Sequence, residues 1–362
     1  MIDRDTRRRR WLPAVLLPTL ALFLVSCSND NGQNSLAPKG KSAHTINNLF
    51  GPVFWVAAVI GVAVLTATVA FAVVFRYRPG TNDSPKQTHG STPLEIGWTI
   101  LPALILAVVA VPTVKTIFDL AREPKGHVLD VTVTGKQWWW QVEYPDAHVV
   151  TASELHIPVG RPVRIDLRSP DVVHSFWIPE LAGKQDVIPG RTQKLVLRTD
   201  RPGTYLGQCA EFCGLSHANM RMRVIAQTPA DFDVWLRGQQ QGPVQRYEGS
   251  EVARLTGEKY QCINCHTFDK SSQAVYGPNL THVGSRTTFA GGSQELNRQN
   301  LTKWVMDAPS LVPMQSKDCR KGPAPAYTCV GMPSFTKNTP PDQPVMTRAD
   351  ADQIVSYLLG ER

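Results

Sequence analysis

Cys209-Ala210-Glu211-Phe212-Cys213-Gly214-Leu215-Ser216-His217-Ala218-Asn219-Met220 places two cysteines, a histidine and a methionine within twelve residues. A second histidine, His174, stands upstream in V-V-H-S-F-W-I-P. Thiolate and thioether are soft donors and imidazole suits copper, so this set selects copper over calcium or magnesium. A mononuclear blue-copper site needs one cysteine. Two thiolates four residues apart in a loop can bridge two copper ions and leave one histidine for each. The Met220 sulfur and a backbone carbonyl between the cysteines then serve as weak axial ligands. Sharing one electron over two bridged metals keeps the geometry nearly constant between redox states, which suits electron transfer rather than bond-making. A Cys209–Cys213 disulfide beside a core histidine and a core methionine is the plainer alternative. It leaves the coincidence of five ligand-type residues unexplained.

Working outward from the loop, the flanking chain alternates in short runs: L-D-V-T-V-T, V-R-I-D-L, Q-K-L-V-L-R and M-R-V-I-A. Pro-Gly and Gly-Lys turns separate them, the pattern of an all-β sandwich. The metal loop falls between two late strands, with His174 contributed by a neighbouring one. Trp138-Trp139-Trp140 begins a strand. Alternate rings of a strand face opposite sides, so at least one of the three is expected to be exposed.

Four segments carry a resemblance: H-S-F-W-I-P-E-L, D-V-I-P-G-R, P-G-T-Y-L-G-Q-C and C-A-E-F-C-G-L-S-H-A-N-M. They resemble cytochrome c oxidase subunit II with its dinuclear copper centre (CuA), over residues 45–235. The resemblance implies a cupredoxin-like domain with copper ligation by His174, Cys209, Cys213, His217 and Met220, plus the Glu211 carbonyl. It also implies that the Glu211 side chain reaches a magnesium ion at the boundary with subunit I. Q-W-W-W-Q-V-E-Y is similar to the family's aromatic strand, whose first tryptophan passes electrons from cytochrome c to copper; that role falls on Trp138. Trp139 stands where the family often has tyrosine.

The N-terminal third reads as export and membrane anchoring. Arg4 and Arg7 to Arg10 precede an apolar run ending in L-V-S-C, a signal peptide over residues 1–26. L-V-S-C also resembles a bacterial lipobox, implying cleavage before Cys27 and lipid on its sulfur; an ordinary leader with an incidental cysteine is the alternative. Residues 28–45, rich in Ser, Asn, Gly and Lys, read as a flexible tether. Leu49 to Phe75 carries no charge and is long enough to span a bilayer core of about 30 Å. A second apolar run, Ile96 to Phe118, is interrupted by Pro102 and Pro112. The loop between them holds Arg76, Arg78 and Lys86 against Asp83, so the positive-inside rule puts it in the cytoplasm and both long ends outside. Glu95 sits where the second span enters the membrane on the cytoplasmic side, and ionisable groups there are functional candidates. E-I-G-W-T-I-L-P-A is similar to the family's pattern, in which this glutamate lies at the mouth of a proton channel of subunit I.

After Gln239 a polar Gln/Gly/Pro segment reads as an interdomain linker. Beyond it stands Cys262-Ile263-Asn264-Cys265-His266, the haem-c attachment motif: two thiols add to the vinyl groups of one haem, and the histidine ligates its iron. Zinc or a redox C-x-x-C is the alternative. G-P-N-L-T-H-V-G-S-R and M-P-S-F resemble class I cytochromes c fused to oxidase subunit II, with His282 on the surface or towards the propionates. The distal ligand is sought among Met314, Met332 and Met346. Met332, in G-M-P-S-F, is similar to the family's distal loop and is the expected one. Cys319 and Cys329 read as a disulfide-closed insertion, with two free thiols as the alternative. Thr347 to Leu359 reads as a capped helix with Ile354, Tyr357 and Leu358 on its apolar face.

The formal charge of the 362-residue chain is +8, but the leader carries +3 of it. Residues 127–240 hold twelve basic and twelve acidic groups and 251–362 twelve and ten, so a nucleic-acid partner has no support. The expected organisation is multidomain: leader 1–26, tether 27–48, transmembrane hairpin 49–118, cupredoxin-like sandwich 119–238, linker 239–250 and an all-α cytochrome c domain 251–362. The expected function is the electron-input subunit of a haem–copper oxidase in the bacterial plasma membrane, with its metal domains on the outer face. Its partners are subunit I and other oxidase subunits, the bilayer, and cytochrome c or a cytochrome bc complex as donor. Oxygen reduction and proton translocation belong to subunit I, because this chain lacks the multi-span histidine cluster they require. A linker of about ten residues would hold the cytochrome at a millimolar effective concentration. A quinol-oxidase subunit II would share the fold but lack the copper cysteines. An electron-transfer or copper-delivery protein outside an oxidase is the remaining alternative.

Overall fold

Two apolar helices, a ten-stranded sandwich and a mostly helical region follow one another in the computed structural model, which describes residues 32–76, 80, 87, 89–269, 276–314, 331–336 and 344–360. The leader with Cys27, the loop residues Arg78, Asp83 and Lys86, and the Cys319–Cys329 pair lie outside the described residues.

Helix α1 (Lys41–Val74) and helix α2 (Thr92–Ala121) contain the two expected spans and touch one another. At about 1.5 Å per residue, thirty residues reach about 45 Å, more than a bilayer core needs. Pro102 and Pro112 stand inside α2 without ending it. Nearly every large side chain of both helices is exposed, including Phe54, Trp55, Val59, Leu65, Trp98, Leu104, Leu106 and Val108. Apolar exposure on all sides suits lipid or partner helices, not water.

The sandwich has strands β1 (Leu129–Lys136), β2 (Trp139–Tyr144), β3 (Val149–Ala152), β4 (Glu154–Pro158), β5 (Val163–Arg168), β6 (His174–Trp177), β7 (Gln185–Val187), β8 (Gln193–Leu197), β9 (Gly203–Cys209) and β10 (Arg221–Gln227). One sheet runs β3-β2-β1-β5-β8 and the other β4-β10-β9-β6-β7. Their inner faces follow from period-two alternation: Leu129, Val131 and Val133 on β1, Val163, Ile165 and Leu167 on β5, and Met222, Val224 and Ala226 on β10 are buried. Pairing β6 to both β7 and β9 puts His174 beside the strand that delivers Cys209.

The stretch expected as a flexible tether is held to this sandwich from Gly32 onward. Lys39 and Gly40 donate their amides to the Glu180 carbonyl, the Lys39 ammonium pairs with the Glu180 carboxylate at 2.9 Å, and Gly40 bridges Thr199. A Cβ at Gly40 would collide with the Leu181 backbone, so glycine permits the close approach. A polar composition does not keep a segment free when a sheet edge supplies partners for its backbone.

Helix α3 (Pro229–Gln240) closes the sandwich. Thr228 caps it, Phe232 is buried, and Trp235 stacks on His156 with ring centroids 3.9 Å apart. It runs on through Gln240, into the segment read as linker. The last region holds α4 (Glu251–Arg254), a two-stranded ladder of β11 (Thr288–Phe289) and β12 (Gln294–Glu295), α5 (Arg298–Leu311) and α6 (Arg348–Gly360). The small ladder departs from the all-α expectation. Leu255, Tyr260, Phe268, Val283, Leu301, Val305, Ile354, Val355 and Leu358 form a second core, separate from that of the sandwich. Thr347 caps α6 through the Asp350 amide, and Ile354, Tyr357 and Leu358 face inward.

Candidate metal centre

The β9–β10 loop folds the six expected donors together. Cys209 Sγ and Cys213 Sγ are 3.8 Å apart, Cys209 Sγ lies 3.2 Å from the Glu211 carbonyl oxygen and 4.0 Å from His174 Nδ1. Cys213 Sγ is 3.6 Å from His217 Nδ1 and 3.8 Å from Met220 Sδ. A disulfide needs sulfurs at about 2.05 Å, so the cysteines are free thiols. Metal–thiolate bonds of about 2.3 Å let two sulfurs at this separation touch the same ion. His174 sits on the Cys209 side and His217 on the Cys213 side, one imidazole at each end of the sulfur pair. The donors fit a thiolate-bridged copper pair.

His174, Cys209, Cys213 and Met220 are buried. The hydrogen bond from Cys213, ahead of those involving His174 and the backbone, holds the Cys209 thiol well below its usual range. The same contact, with burial, pushes Cys213 up. Metal ligation would need both sulfurs as thiolates, so loading the site would release their protons.

The sequence reading missed the groups that orient these ligands. Asp171 Oδ1 lies 2.8 Å from His174 Nε2, fixing the ring so that Nδ1 faces the sulfurs. Burial raises the Asp171 carboxyl, but bonds from His174 and from the Val172 and Gln137 amides outweigh it and hold it below its usual range. Burial likewise lowers His174, and the Asp171 and Cys209 contacts outweigh it, leaving the imidazole raised. A Cβ at Gly135 would lie 2.9 Å from the His174 ring, so that glycine makes room for the ligand. The signal for Asp171 was an acid three residues before the ligand histidine in D-V-V-H.

All three tryptophans are buried, at 7, 7 and 0 % exposure for Trp138, Trp139 and Trp140, against the expectation of an exposed ring. Trp138 precedes β2, and its indole N–H donates to the Cys213 carbonyl at 3.0 Å. Trp139 lies under the Lys136 ammonium, 5.0 Å from its ring centroid, and Trp140 packs edge-on against His174 and Phe176. On the outward face Lys136 covers Trp139, while Gln141 and Glu143 stay half-buried. The loop tip is open instead: Glu211, Phe212 and Leu215 are exposed.

In the C-terminal region His266 Nδ1 donates to the Pro278 carbonyl at 2.9 Å, which leaves Nε2 with its lone pair for a metal. Gly277 lies against the ring, where a Cβ would come within 2.6 Å. Burial pushes the Cys262 thiol up to about 12 and raises Cys265, the reverse of a redox-active C-x-x-C. Arg286 is half-buried; its Nη2 donates to the Asn279 carbonyl, while its buried Nε–H has no partner among the described residues. An anionic group such as a haem carboxylate fits there. His282 is buried rather than on the surface, its Nε2 3.0 Å from the Gln241 carbonyl. Met332 packs in the C-terminal core, whereas Met314 packs against the sandwich. Met346 is buried, and its amide is bonded to the Phe335 carbonyl. Glu95 stands exposed in the first turn of α2.

The chain is similar to known oxidase subunits. The family models for the transmembrane and periplasmic domains of cytochrome c oxidase subunit II match residues 32–116 and 148–227. Cytochrome c oxidase subunit 2 of Alkalihalophilus pseudofirmus is 34% identical over 355 residues, covering 96% of each chain. Quinol oxidase subunit 2 of Bacillus cereus is 32% identical over 262 residues, 70% of this chain and 85% of that one. The crystal structure of the periplasmic domain of subunit II of cytochrome oxidase from Bradyrhizobium japonicum is 30% identical, with a TM-score of 0.31, covering 32% of this chain and 96% of that one.

Proposed function

Because the chain belongs to the cytochrome c oxidase subunit II family, we propose that it is the electron-input subunit of an oxygen-reducing haem–copper oxidase, taking electrons from an external donor through a covalent haem c and a dinuclear copper to subunit I. The observation that carries this reading is the donor set: two buried thiols 3.8 Å apart with an imidazole at each end. Relatives include both cytochrome c and quinol oxidase subunits. The thiol pair and the C-x-x-C-H motif favour the first.

The copper pair and the haem supply one-electron redox chemistry when bound; the protein supplies ligands, order and insulation. His174, Cys209, Cys213, His217, Met220 and the Glu211 carbonyl hold the copper. Cys262 and Cys265 would anchor the haem and His266 and Met332 would ligate its iron, a histidine–methionine pairing that would raise the potential relative to two histidines. Trp138 is the entry residue, joined to the metal loop by its bond to the Cys213 carbonyl. The Glu211 side chain would hold a magnesium ion shared with subunit I, whose docking would cover Phe212 and Leu215. Glu95 admits protons to the channel of subunit I, coupling the reduction to proton translocation. The sandwich and the haem domain lie on the outer face of the plasma membrane, joined to it by the two-span hairpin.

Metal analysis with visible and near-infrared spectra of the purified chain tests the reading. Two coppers, a mixed-valence near-infrared band and a haem-c α band are expected. A chain with no copper, or with copper and no α band after maturation in a competent host, would refute it.

A further inference from the structure

The haem-bearing region does not hang from its linker. Its segment Arg286 to Gly292 lies across the sandwich beside the metal loop and is fastened by one buried carboxylate. Glu154, 1 % exposed on β4, accepts four hydrogen bonds through Oε1: from the Thr287 amide at 2.9 Å and hydroxyl at 2.5 Å, and from the Thr288 amide at 2.8 Å and hydroxyl at 3.0 Å. Arg223 Nη1 donates to the Thr287 hydroxyl at 3.1 Å, and the Arg221 amide donates to the Gly291 carbonyl at 2.7 Å. Arg221 follows the copper ligand Met220 directly.

Two glycines let this strap close down. Gly291 and Gly292 have φ of +66° and +78°, where side chains are disfavoured. A Cβ on Gly291 would lie 2.5 Å from the Trp138 carbonyl and 3.2 Å from that of Asn219; on Gly292 it would lie 3.0 Å from the Arg221 backbone. A second attachment lies on the copper loop itself, where the Ser216 hydroxyl donates to the Pro313 carbonyl, next to Met314 packed on the sandwich core. One flank of the loop, with Trp138 and Asn219, is thus covered by this chain, while the tip with Phe212 and Leu215 stays open.

We propose that the Arg286–Gly292 strap, latched by Glu154, is a fixed intramolecular seal over the Trp138 flank, so that soluble donors are excluded from the copper centre and must deliver electrons to the chain's own haem domain. This rests on the proposed function for its redox meaning, while the seal itself is a statement about contact and access. It replaces a tethered, freely exchanging cytochrome with a permanently docked one, and it makes Glu154 a positioning residue rather than a catalytic one.

The test uses the full-length chain carrying copper and haem, in detergent, with its absorption bands as the folding control for both domains. Hydrogen exchange is followed at the Thr287, Thr288 and Arg221 amides, and hydroxyl-radical labelling at Trp138 by mass spectrometry. In the unaltered protein the three amides are expected to exchange slowly and Trp138 to resist labelling. Glu154→Ala should speed exchange by about tenfold or more at Thr287 and Thr288 and raise Trp138 labelling, with both spectra retained. Glu154→Gln, which keeps one carbonyl acceptor, should fall between. Gly291→Val breaks the seal by bulk instead of by lost hydrogen bonds and should raise Trp138 labelling in the same way. Equal Trp138 labelling in the unaltered protein and in both Glu154→Ala and Gly291→Val would overturn the seal, as would fast exchange at the three amides in the unaltered chain. Absence of the haem or copper bands would refute the proposed function and leave the contact measurement standing.

Discussion

The Trp138 indole donates to the backbone carbonyl of Cys213, so the residue read as the entry point is bonded to a member of the proposed copper donor set. Gln137 donates to the same carbonyl at 2.7 Å through its side-chain amide. The ring and the loop are thus held in one register. Trp138→Phe keeps the buried aromatic and removes the N–H; Trp138→Ala removes both. Copper content and the near-infrared band should survive in each, while reduction of copper by haem c slows, more for alanine than for phenylalanine. Laser-initiated electron transfer within the chain checks this, and unchanged rates would leave Trp138 a packing residue.

Cys213 touches three other donor atoms or their side chains, since its sulfur lies near Cys209, His217 and Met220. Cys213→Ser offers a hydroxyl, a poor ligand for a soft metal. The expected outcome is loss of the delocalised pair, seen as fewer than two coppers per chain and disappearance of the mixed-valence band. A serine variant with two coppers and that band would rule out thiolate bridging.

Much of this was legible in local spacing. Cys209, Cys213, His217 and Met220 share one loop, so their meeting could be read from spacing without a fold, and the contiguous C-x-x-C-H motif supports the haem proposal from sequence alone. His174 needed only the neighbouring strand. What escaped depended on long-range pairing. Glu154 and Thr287 are 133 residues apart, and neither position carries a motif. The ordering of residues 32–40 came from the free edge at Glu180 and Thr199, which composition cannot show. The burial of Trp138 came from chain packed over it, where strand alternation predicts an exposed ring, and that of His282 from the segment at Gln241, where the family resemblance allowed a surface position.

Asp171 is the case in which a carboxylate missed from the sequence should matter for the metal. Its bond to His174 Nε2 fixes the ring, and Ser169 and two backbone amides fix Asp171 in turn. Asp171→Ala should lower copper affinity by about 10–100-fold, the usual effect of losing such a partner. Asp171→Asn, which keeps an acceptor, should lose less. Competition with a copper chelator at fixed pH measures both, and equal affinities across the series would show that the β6 backbone alone orients His174.

The distal haem ligand separates two methionines that the structure treats differently. Met314 packs on the sandwich, and its sulfur lies 3.1 Å from the Met332 amide nitrogen. Met332 belongs to the C-terminal core, and its loop is tied to α5 by the Asp307–Ser334 bridge and the Phe335 amide bonded to Met306. Met332→Leu should remove the methionine–iron charge-transfer band of the oxidised haem and lower its potential. Met314→Leu should leave that band in place, and the opposite pattern would transfer the ligand role to Met314.

Acid should loosen the C-terminal domain through Asp350. Hydrogen bonds from Lys259 and Tyr260, both at 2.7 Å, and from the Thr347 cap hold its carboxyl down at about 2, against an ordinary value of about 3.9. A carboxyl lowered on folding binds its proton more readily in the unfolded chain. Its contribution to stability is therefore complete above about pH 4 and fades as pH falls towards 2. The contact joins the first turn of α6 to the segment just before Cys262, so its loss opens the region next to the proposed haem anchor. Asp350→Asn should destabilise the domain at pH 7 and flatten the decline in stability between pH 4 and pH 2. Denaturant unfolding followed by the haem Soret band, repeated at pH 7, 4 and 3, reads both effects. A parallel decline in the variant and the unaltered protein would show that other carboxyls govern the acid response.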